Sequence, residues 1–150
     1  HFWKNRIQNP FNITLTEKQV YKVNKIDDIN SSQNYRHFKN VLNSKVFGNG
    51  YKRFDEEHKK QLQMLVVREV SLNQRHHLHC IIGKPKRLDD DRFIKLITET
   101  WKSTNFGYDK IHIEKPSSQE REDGWLGYIL KNKTKMDFSD SFDWENISTK

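Results

Sequence analysis

Residues 75–82 constrain the fold most, because they combine two histidines with the alternating apolar pattern of a β-strand. Side chains alternate between the two faces of a strand, so His77 and His79 share one face. The apolar residues of the other face are Leu78, Cys80 and Ile82. The segment predicts a strand with a core on one side and two imidazoles, which are common metal ligands, on the other.

A second strand precedes this one, since residues 61–70 carry the strongest strand pattern in the chain. Residues 71–74 resemble a turn, so the two strands should form a hairpin. If the turn centres near Asn73, Glu69 lies opposite His77 on the same face, with β-carbons roughly 5 Å apart. Glu69 is then a third candidate metal ligand, although a register shift of one residue would move it to the other face.

The whole pattern reads strand, helix, strand, strand, helix, strand, helix. Besides the hairpin, the predicted elements are strands at 11–16 and 108–115, and helices at about 34–47, from Asp89 to Trp101, and at 123–132. Residues 27–33 are predicted to be a loop, and Gly48 to end the first helix. This order predicts an α+β fold, a central antiparallel β-sheet with flanking helices in a ferredoxin-like or RRM-like split β-α-β arrangement.

Composition narrows the class of protein. The 150 residues suit one domain, and a mean hydropathy of −1.00 with no long apolar run excludes a membrane protein. A net charge of +7 and a pI near 9.4 favour a polyanionic partner such as nucleic acid, the alternative being a merely basic protein. The single cysteine favours a reducing compartment, and no secretion signal is visible.

Several polar and charged residues are candidate DNA contacts. The first strand presents a polar face of Asn12, Thr14 and Thr16. Basic residues that could bind phosphates are Lys84, Lys86, Arg87, Lys133 and Lys135, and for each the alternative is a solvated surface. The three aspartates at 89–91 begin a helix, so helix capping is favoured over metal binding for them.

The last predicted helix carries a tyrosine outside its apolar stripe. At about 100° per residue, an apolar stripe forms on one side, and Tyr128 and Lys131 fall on the other. The residues of the stripe are Trp125, Leu126, Ile129 and Leu130. Tyr128 is therefore not an obvious core aromatic residue.

Three motifs occur in order: Phe11 to Thr16, the His77-Leu78-His79 pair with Glu69, and Tyr128-Ile129-Leu130-Lys131. Together they resemble the HUH endonuclease domain of rolling-circle replication initiator (Rep) proteins, of the single-tyrosine type. The resemblance covers nearly the whole chain and implies one catalytic domain over 1–150, with an arm at 1–9 and a loosely ordered tail at about 136–150. The first motif is looser than in viral Rep proteins, and no helicase domain follows.

The resemblance implies that His77, His79 and Glu69 bind Mn²⁺ or Mg²⁺, that Tyr128 is the nucleophile and that Lys131 contacts the scissile phosphate. The implied activity is nicking and religation of single-stranded DNA at a hairpin-associated origin. A helicase domain or host replication proteins outside this chain would be partners. The implied location is the cytoplasm for a bacterial plasmid or phage and the host nucleus for a eukaryotic virus.

Two alternatives stay open. A transposase or relaxase would use the same chemistry in a different genetic role. A non-catalytic single-stranded nucleic-acid-binding module would use the histidines to contact bases or to hold a structural Zn²⁺. A structural zinc site normally has four ligands, and Cys80 points away from the two histidines, which disfavours the zinc variant.

Overall fold

The computed structural model describes residues 7–48, 61–70 and 75–116. The strands are β1 (Pro10–Glu17), β2 (Val20–Tyr21), β3 (Asn24–Lys25), β4 (Met64–Val70), β5 (His76–Gly83) and β6 (Gly107–Glu114), and the helices are α1 (Asp28–Phe47) and α2 (Asp90–Ser103). Four strands form an antiparallel sheet in the order β4-β5-β1-β6, and β2 and β3 form a separate hairpin.

The connectivity is that of two interleaved split β-α-β units. β5 lies between β1 and β4, the strands that α1 connects, and β1 lies between β5 and β6, the strands that α2 connects. The prediction of an α+β fold with a central antiparallel sheet and flanking helices is confirmed. Within the described ranges, no helix is long and apolar enough to cross a membrane.

Both helices pack on the same face of the sheet. Alternate residues of the central strands, such as Ile13 and Cys80, join residues of α1 and α2 in one buried cluster. Aromatic contacts tie the layers together, with Phe38 and Trp101 meeting edge to face at 5.4 Å between ring centroids. The indole Nε1 of Trp101 also donates to the carbonyl of Thr16 at 3.0 Å, which fixes the end of β1 against α2.

The first helix begins earlier than its sequence pattern indicates, and the prediction of a loop at 27–33 is wrong. Asp27 is the N-cap, its Oδ1 accepting from the Asn30 backbone N–H at 2.6 Å. Gly48 ends the helix as predicted, with φ of +91° and its N–H donating to the carbonyl of Ser44. The early turns have no apolar period because their buried positions include Ser31, a polar residue.

The aspartates at 89–91 cap α2, as predicted. Asp89 Oδ1 accepts from the Arg92 backbone N–H at 2.7 Å, and the carboxylates of the first turn complement the helix dipole. Asp90 also forms an ion pair with Lys115 at 3.2 Å. The predicted helix at 123–132, the tail and residues 1–6 of the arm lie outside the described residues.

One carboxyl group is buried at the end of β1, beneath α1. Glu17 is 1% exposed; its Oε1 accepts from Ser31 Oγ at 2.8 Å, and its Oε2 has no hydrogen-bond partner in the described part of the chain. Burial raises the pKa of Glu17 to about 7, against the lowering effects of the Ser31 hydrogen bond and of Arg68. The folded protein therefore holds this proton at a pH where the unfolded chain has lost it.

Glu17 should make the protein less stable as pH rises. Because its folded pKa of about 7 exceeds the ordinary value of 4.5, the free energy of unfolding should fall between these two values and then level off. At 1.36 kcal/mol per pH unit the fall is at most about 3 kcal/mol. Urea denaturation at pH 5 and pH 8 should show this fall in wild type and a smaller one in Glu17→Gln. Glu99→Gln, at an exposed α2 position, is the control, and equal pH slopes in all three proteins would contradict the assignment.

Candidate metal centre on the second face of the sheet

Polar side chains of neighbouring strands gather on the sheet face opposite α1 and α2. The register pairs Thr14 with His79 and Thr16 with His77 across β1 and β5. Glu69 pairs with His77 across β4 and β5, so the predicted hairpin register is confirmed. Directly opposed residues of an antiparallel pair share a face, which places both histidines and the carboxylate on the same side.

The carboxylate of Glu69 bonds the diagonal histidine, not the one directly opposite. Glu69 Oε2 lies 2.5 Å from His79 Nε2, and Thr14 Oγ1 lies 3.4 Å from His79 Nδ1. The His79 ring is therefore held at both nitrogens by residues of the two neighbouring strands. The side chains of His79 and Glu69 remain 25% and 32% exposed, so the pair is open to a ligand from solvent.

His77 is suited to the neutral form that a metal ligand requires. Burial lowers the pKa of His77 below its ordinary value, and the neighbouring His79 lowers it further, while Glu69 acts in the opposite direction. The strand that faces it is fixed, because the carbonyl of Thr16 accepts from Trp101. A neutral imidazole at a fixed position is an available nitrogen donor.

The three side chains have the right donor atoms for a divalent cation, but they are not spaced as ligands. Within residues 7–48, 61–70 and 75–116, no group of three or more His, Cys, Asp or Glu is arranged to hold a metal ion. Two ligand atoms at right angles on one ion, with bonds of about 2.1 Å, stand roughly 3 Å apart. Glu69 and His79 are closer than this because a hydrogen bond joins them. Binding an ion between them requires that proton to leave and the two groups to separate by about half an ångström.

The polar face of β1 is less accessible than its sequence suggests. Asn12 is 2% exposed, and neither atom of its amide has a hydrogen-bond partner among the described residues. Thr16 is also buried, and the Thr14 hydroxyl contacts His79. Of these three predicted DNA contacts, Thr14 is the half-buried one, whereas Asn12 and Thr16 are buried.

Of the three basic residues after β5, Lys86 and Arg87 are exposed, and Lys84 and Arg87 form contacts within the protein. Lys84 Nζ donates to the carbonyl of Leu88 at 2.5 Å and lies 3.7 Å from Asp90. Arg87 donates to the carbonyl of Val46, and its guanidinium stacks over an aromatic ring of α1. Lys86 is exposed. The ammonium of Lys84 thus holds the loop before α2. Lys86 and Arg87 both reach solvent, and Lys86 is the one with no side-chain contact in the described part of the chain.

The remaining predicted site residues lie outside the described residues: Tyr128, Lys131, Lys133 and Lys135. One residue that sequence reasoning treated as ordinary, His112, joins the row across the sheet, since it pairs with Thr14, which in turn pairs with His79. Its Nε2 lies 3.4 Å from Glu114 Oε2 at the surface. Only the register of β1 and β6 reveals this row, and sequence alone does not determine the register between strands so far apart.

The β2–β3 hairpin, which the sequence pattern did not predict, lies at the same end of the sheet. It follows directly after Glu17, one residue beyond the Thr16 and His77 pair. The donor set of two imidazoles and a carboxylate is thus assembled from β4 and β5 and supported by β1. Comparisons of the chain with protein-family models, curated proteins and solved structures find no match.

Proposed function

We propose that the chain is an HUH-type endonuclease that nicks and religates single-stranded DNA through a 5′-phosphotyrosine intermediate. Its role would be to initiate rolling-circle replication of a plasmid, phage or small DNA virus. The observation that carries the proposal is the placement of Glu69, His77 and His79 together on one face of an antiparallel sheet. The split β-α-β connectivity and the resemblance of the Tyr128 motif support it.

The donor set suits a borderline to hard divalent ion. Imidazoles and a carboxylate favour Mn²⁺ and accept Mg²⁺, and three protein ligands leave coordination positions for a phosphate. Bound there, the ion would polarise the scissile phosphate and stabilise the charge that develops on it. His79 would be held in position by Thr14, and the lowered pKa of His77 keeps its nitrogen free to bind.

The covalent step would be an in-line displacement at phosphorus. Tyr128 Oη would lose its proton and form the new P–O bond, the bond between phosphorus and the 3′-oxygen would break, and that oxygen would take up a proton as the 3′-hydroxyl. A tyrosine with a pKa of about 10 is only about one part in a thousand ionised at neutral pH, so it needs a nearby cation. Lys131, three residues further on in the sequence, would supply a positive charge. The reverse reaction rejoins a strand without ATP, because the phosphotyrosine retains the energy of the original bond.

One observation favours a second candidate. The direct Glu69–His79 hydrogen bond, with no metal-site arrangement among the described residues, is also what a non-catalytic single-stranded nucleic-acid-binding module would contain. The net charge of +7 suits that function equally well. A transposase or relaxase with the same chemistry differs from the leading proposal only in genetic role.

The wild-type protein separates the catalytic candidate from the binding module. We expect labelled single-stranded DNA from a library of hairpin-associated origins to give a protein–DNA adduct on a denaturing gel with Mn²⁺, and none with EDTA. Manganese binding, followed by the loss of the free-ion EPR signal, should occur without DNA. DNA binding with no adduct on any library member, and no manganese uptake, would establish the non-catalytic module instead.

A further inference from the structure

The β2–β3 hairpin follows β1 and is anchored beside the start of β6 and on α1. The Lys18 N–H donates to the carbonyl of Phe106 at 2.7 Å, and the Ile26 N–H closes the hairpin on the carbonyl of Gln19 at 2.8 Å. Asn30 of α1 donates to the carbonyl of Lys25 at 2.8 Å. The hairpin is therefore fixed at both ends to the sheet and to α1, and it projects from the end of β1 that carries the Thr16–His77 pair.

This hairpin presents a basic and apolar surface to solvent. Its cations are Lys18, Lys22 and Lys25, and none of them forms an ion pair with another described residue. Val23 at the tip is 92% exposed and Val20 is 49% exposed. The acids on either side of the hairpin are engaged elsewhere: Glu17 accepts a buried hydrogen bond from Ser31, and Asp27 is the N-cap of α1. Exposed apolar side chains beside such cations are typical of a binding surface rather than of a solvated turn.

Lys22 occupies a backbone conformation that favours glycine. It is the first residue of the two-residue loop and has φ of +54°, a value required at this position by type I′ and II′ turns. For a residue with a Cβ the left-handed region costs roughly 1–2 kcal/mol. The Lys22 ammonium lies 5.5 Å from the Tyr21 ring centroid, with Lys18 at 6.0 Å from the same centroid. A strained lysine whose ammonium is held in place is best explained by a role for that ammonium.

We propose that the β2–β3 hairpin binds single-stranded DNA next to the His77–His79 site, with Lys22 contacting a phosphate and Val23 contacting an unstacked base. This inference rests on the proposed function and adds the surface that holds the strand. Single-stranded DNA fits because one strand offers phosphates and open base faces side by side. The Tyr21 ring contacts the two lysines and Phe106, so it positions cations instead of stacking on a base.

The test is the salt dependence of single-stranded DNA binding by the full chain, measured in EDTA so that no cleavage occurs. Removing one cation that binds a phosphate of a single strand lowers the slope of log K against log salt by about 0.7, which is roughly fivefold in affinity at 0.1 M salt. We expect Lys22→Gly to show both changes with an unchanged or higher melting temperature, because glycine adopts positive φ freely. Val23→Ser should weaken binding without changing the slope. Lys102→Ala, an exposed lysine at the end of α2, is the matched control.

The outcomes separate this inference from the proposed function. If Lys22→Gly binds DNA with the same salt slope and affinity as the wild-type protein, and the wild-type protein forms the adduct, only the inference about the hairpin is overturned. If Lys22→Gly loses affinity only for DNA with a duplex flank, the inference is also overturned, because the hairpin would then bind double-stranded DNA. Equal losses in Lys22→Gly and Lys102→Ala would indicate a general charge effect and reject a specific contact. A wild-type protein that neither binds single-stranded DNA nor forms an adduct would overturn both proposals.

Discussion

Tyr128→Phe should abolish the covalent protein–DNA adduct while leaving DNA affinity within about twofold of wild type. The substitution removes the phenolic oxygen, the atom that would form the bond to phosphorus, and retains the ring. A lost nucleophile has no substitute in a transesterification, so we expect the rate to fall by about 10⁴ or more, below detection on a denaturing gel. Single-turnover assays with labelled DNA and Mn²⁺ would measure this fall.

Tyr108 of β6 provides the matched control. It is half-buried, and the guanidinium of Arg75 lies 5.3 Å from its ring centroid, a contact that phenylalanine also makes. Tyr108→Phe should therefore form the adduct at the wild-type rate. An adduct that persists in Tyr128→Phe and disappears in Tyr108→Phe would show that Tyr108, and not Tyr128, is the nucleophile.

His77→Ala and His79→Ala, made separately, should each lower metal-dependent cleavage by about 10²–10³ and weaken Mn²⁺ binding. Each removes one of two nitrogen donors, and His79→Ala also leaves Glu69 without its 2.5 Å partner. Isothermal titration with Mn²⁺ in the absence of DNA would measure metal affinity separately from catalysis. Excess Mn²⁺ should partly restore the rate in either variant if the defect lies in metal affinity.

His112→Ala is the control for these substitutions, because His112 lies on the same face, and its side chain contacts the exposed carboxylate of Glu114 and not Glu69. It should retain cleavage and Mn²⁺ binding. Melting temperatures would show whether His79→Ala simply unfolds the sheet edge. Wild-type Mn²⁺ affinity and cleavage in both His77→Ala and His79→Ala would refute a metal centre at this position.

The sequence predicted those parts of the fold in which burial follows a simple period. The alternation of β1 and β5 and the apolar spacing of α2 were sufficient to identify these elements. The Glu69–His77 register was also predictable, because only five residues of sequence separate β4 from β5 and leave few alternatives. The N-cap of α2 at Asp89 was also predictable, because an aspartate side chain accepts a hydrogen bond from a free backbone N–H at the start of a helix.

The parts that sequence reasoning missed depend on polar residues buried by partners far away in the chain. Ser31 and Asn34 begin the buried side of α1 because they bond Glu17 and Thr104, and no hydrophobic period marks them. The two-residue strands β2 and β3 are too short to alternate, and Lys22 replaces the glycine that signals such a turn. The diagonal Glu69–His79 bond depends on side-chain rotation, which the register does not determine.

The position of β1 in the sheet sets the order in which the site can form during synthesis. β1 precedes the other three strands of its sheet in the chain, yet it pairs with β5 and β6, which are distant from it in sequence. Thr14 meets His79, 65 residues later, and Thr16 meets Trp101, 85 residues later. Long-range pairing of this kind is slow and leaves an unpaired strand exposed on the nascent chain. The histidines of β5 therefore pair with β1 only after most of the domain has left the ribosome. The candidate site is complete only late in synthesis.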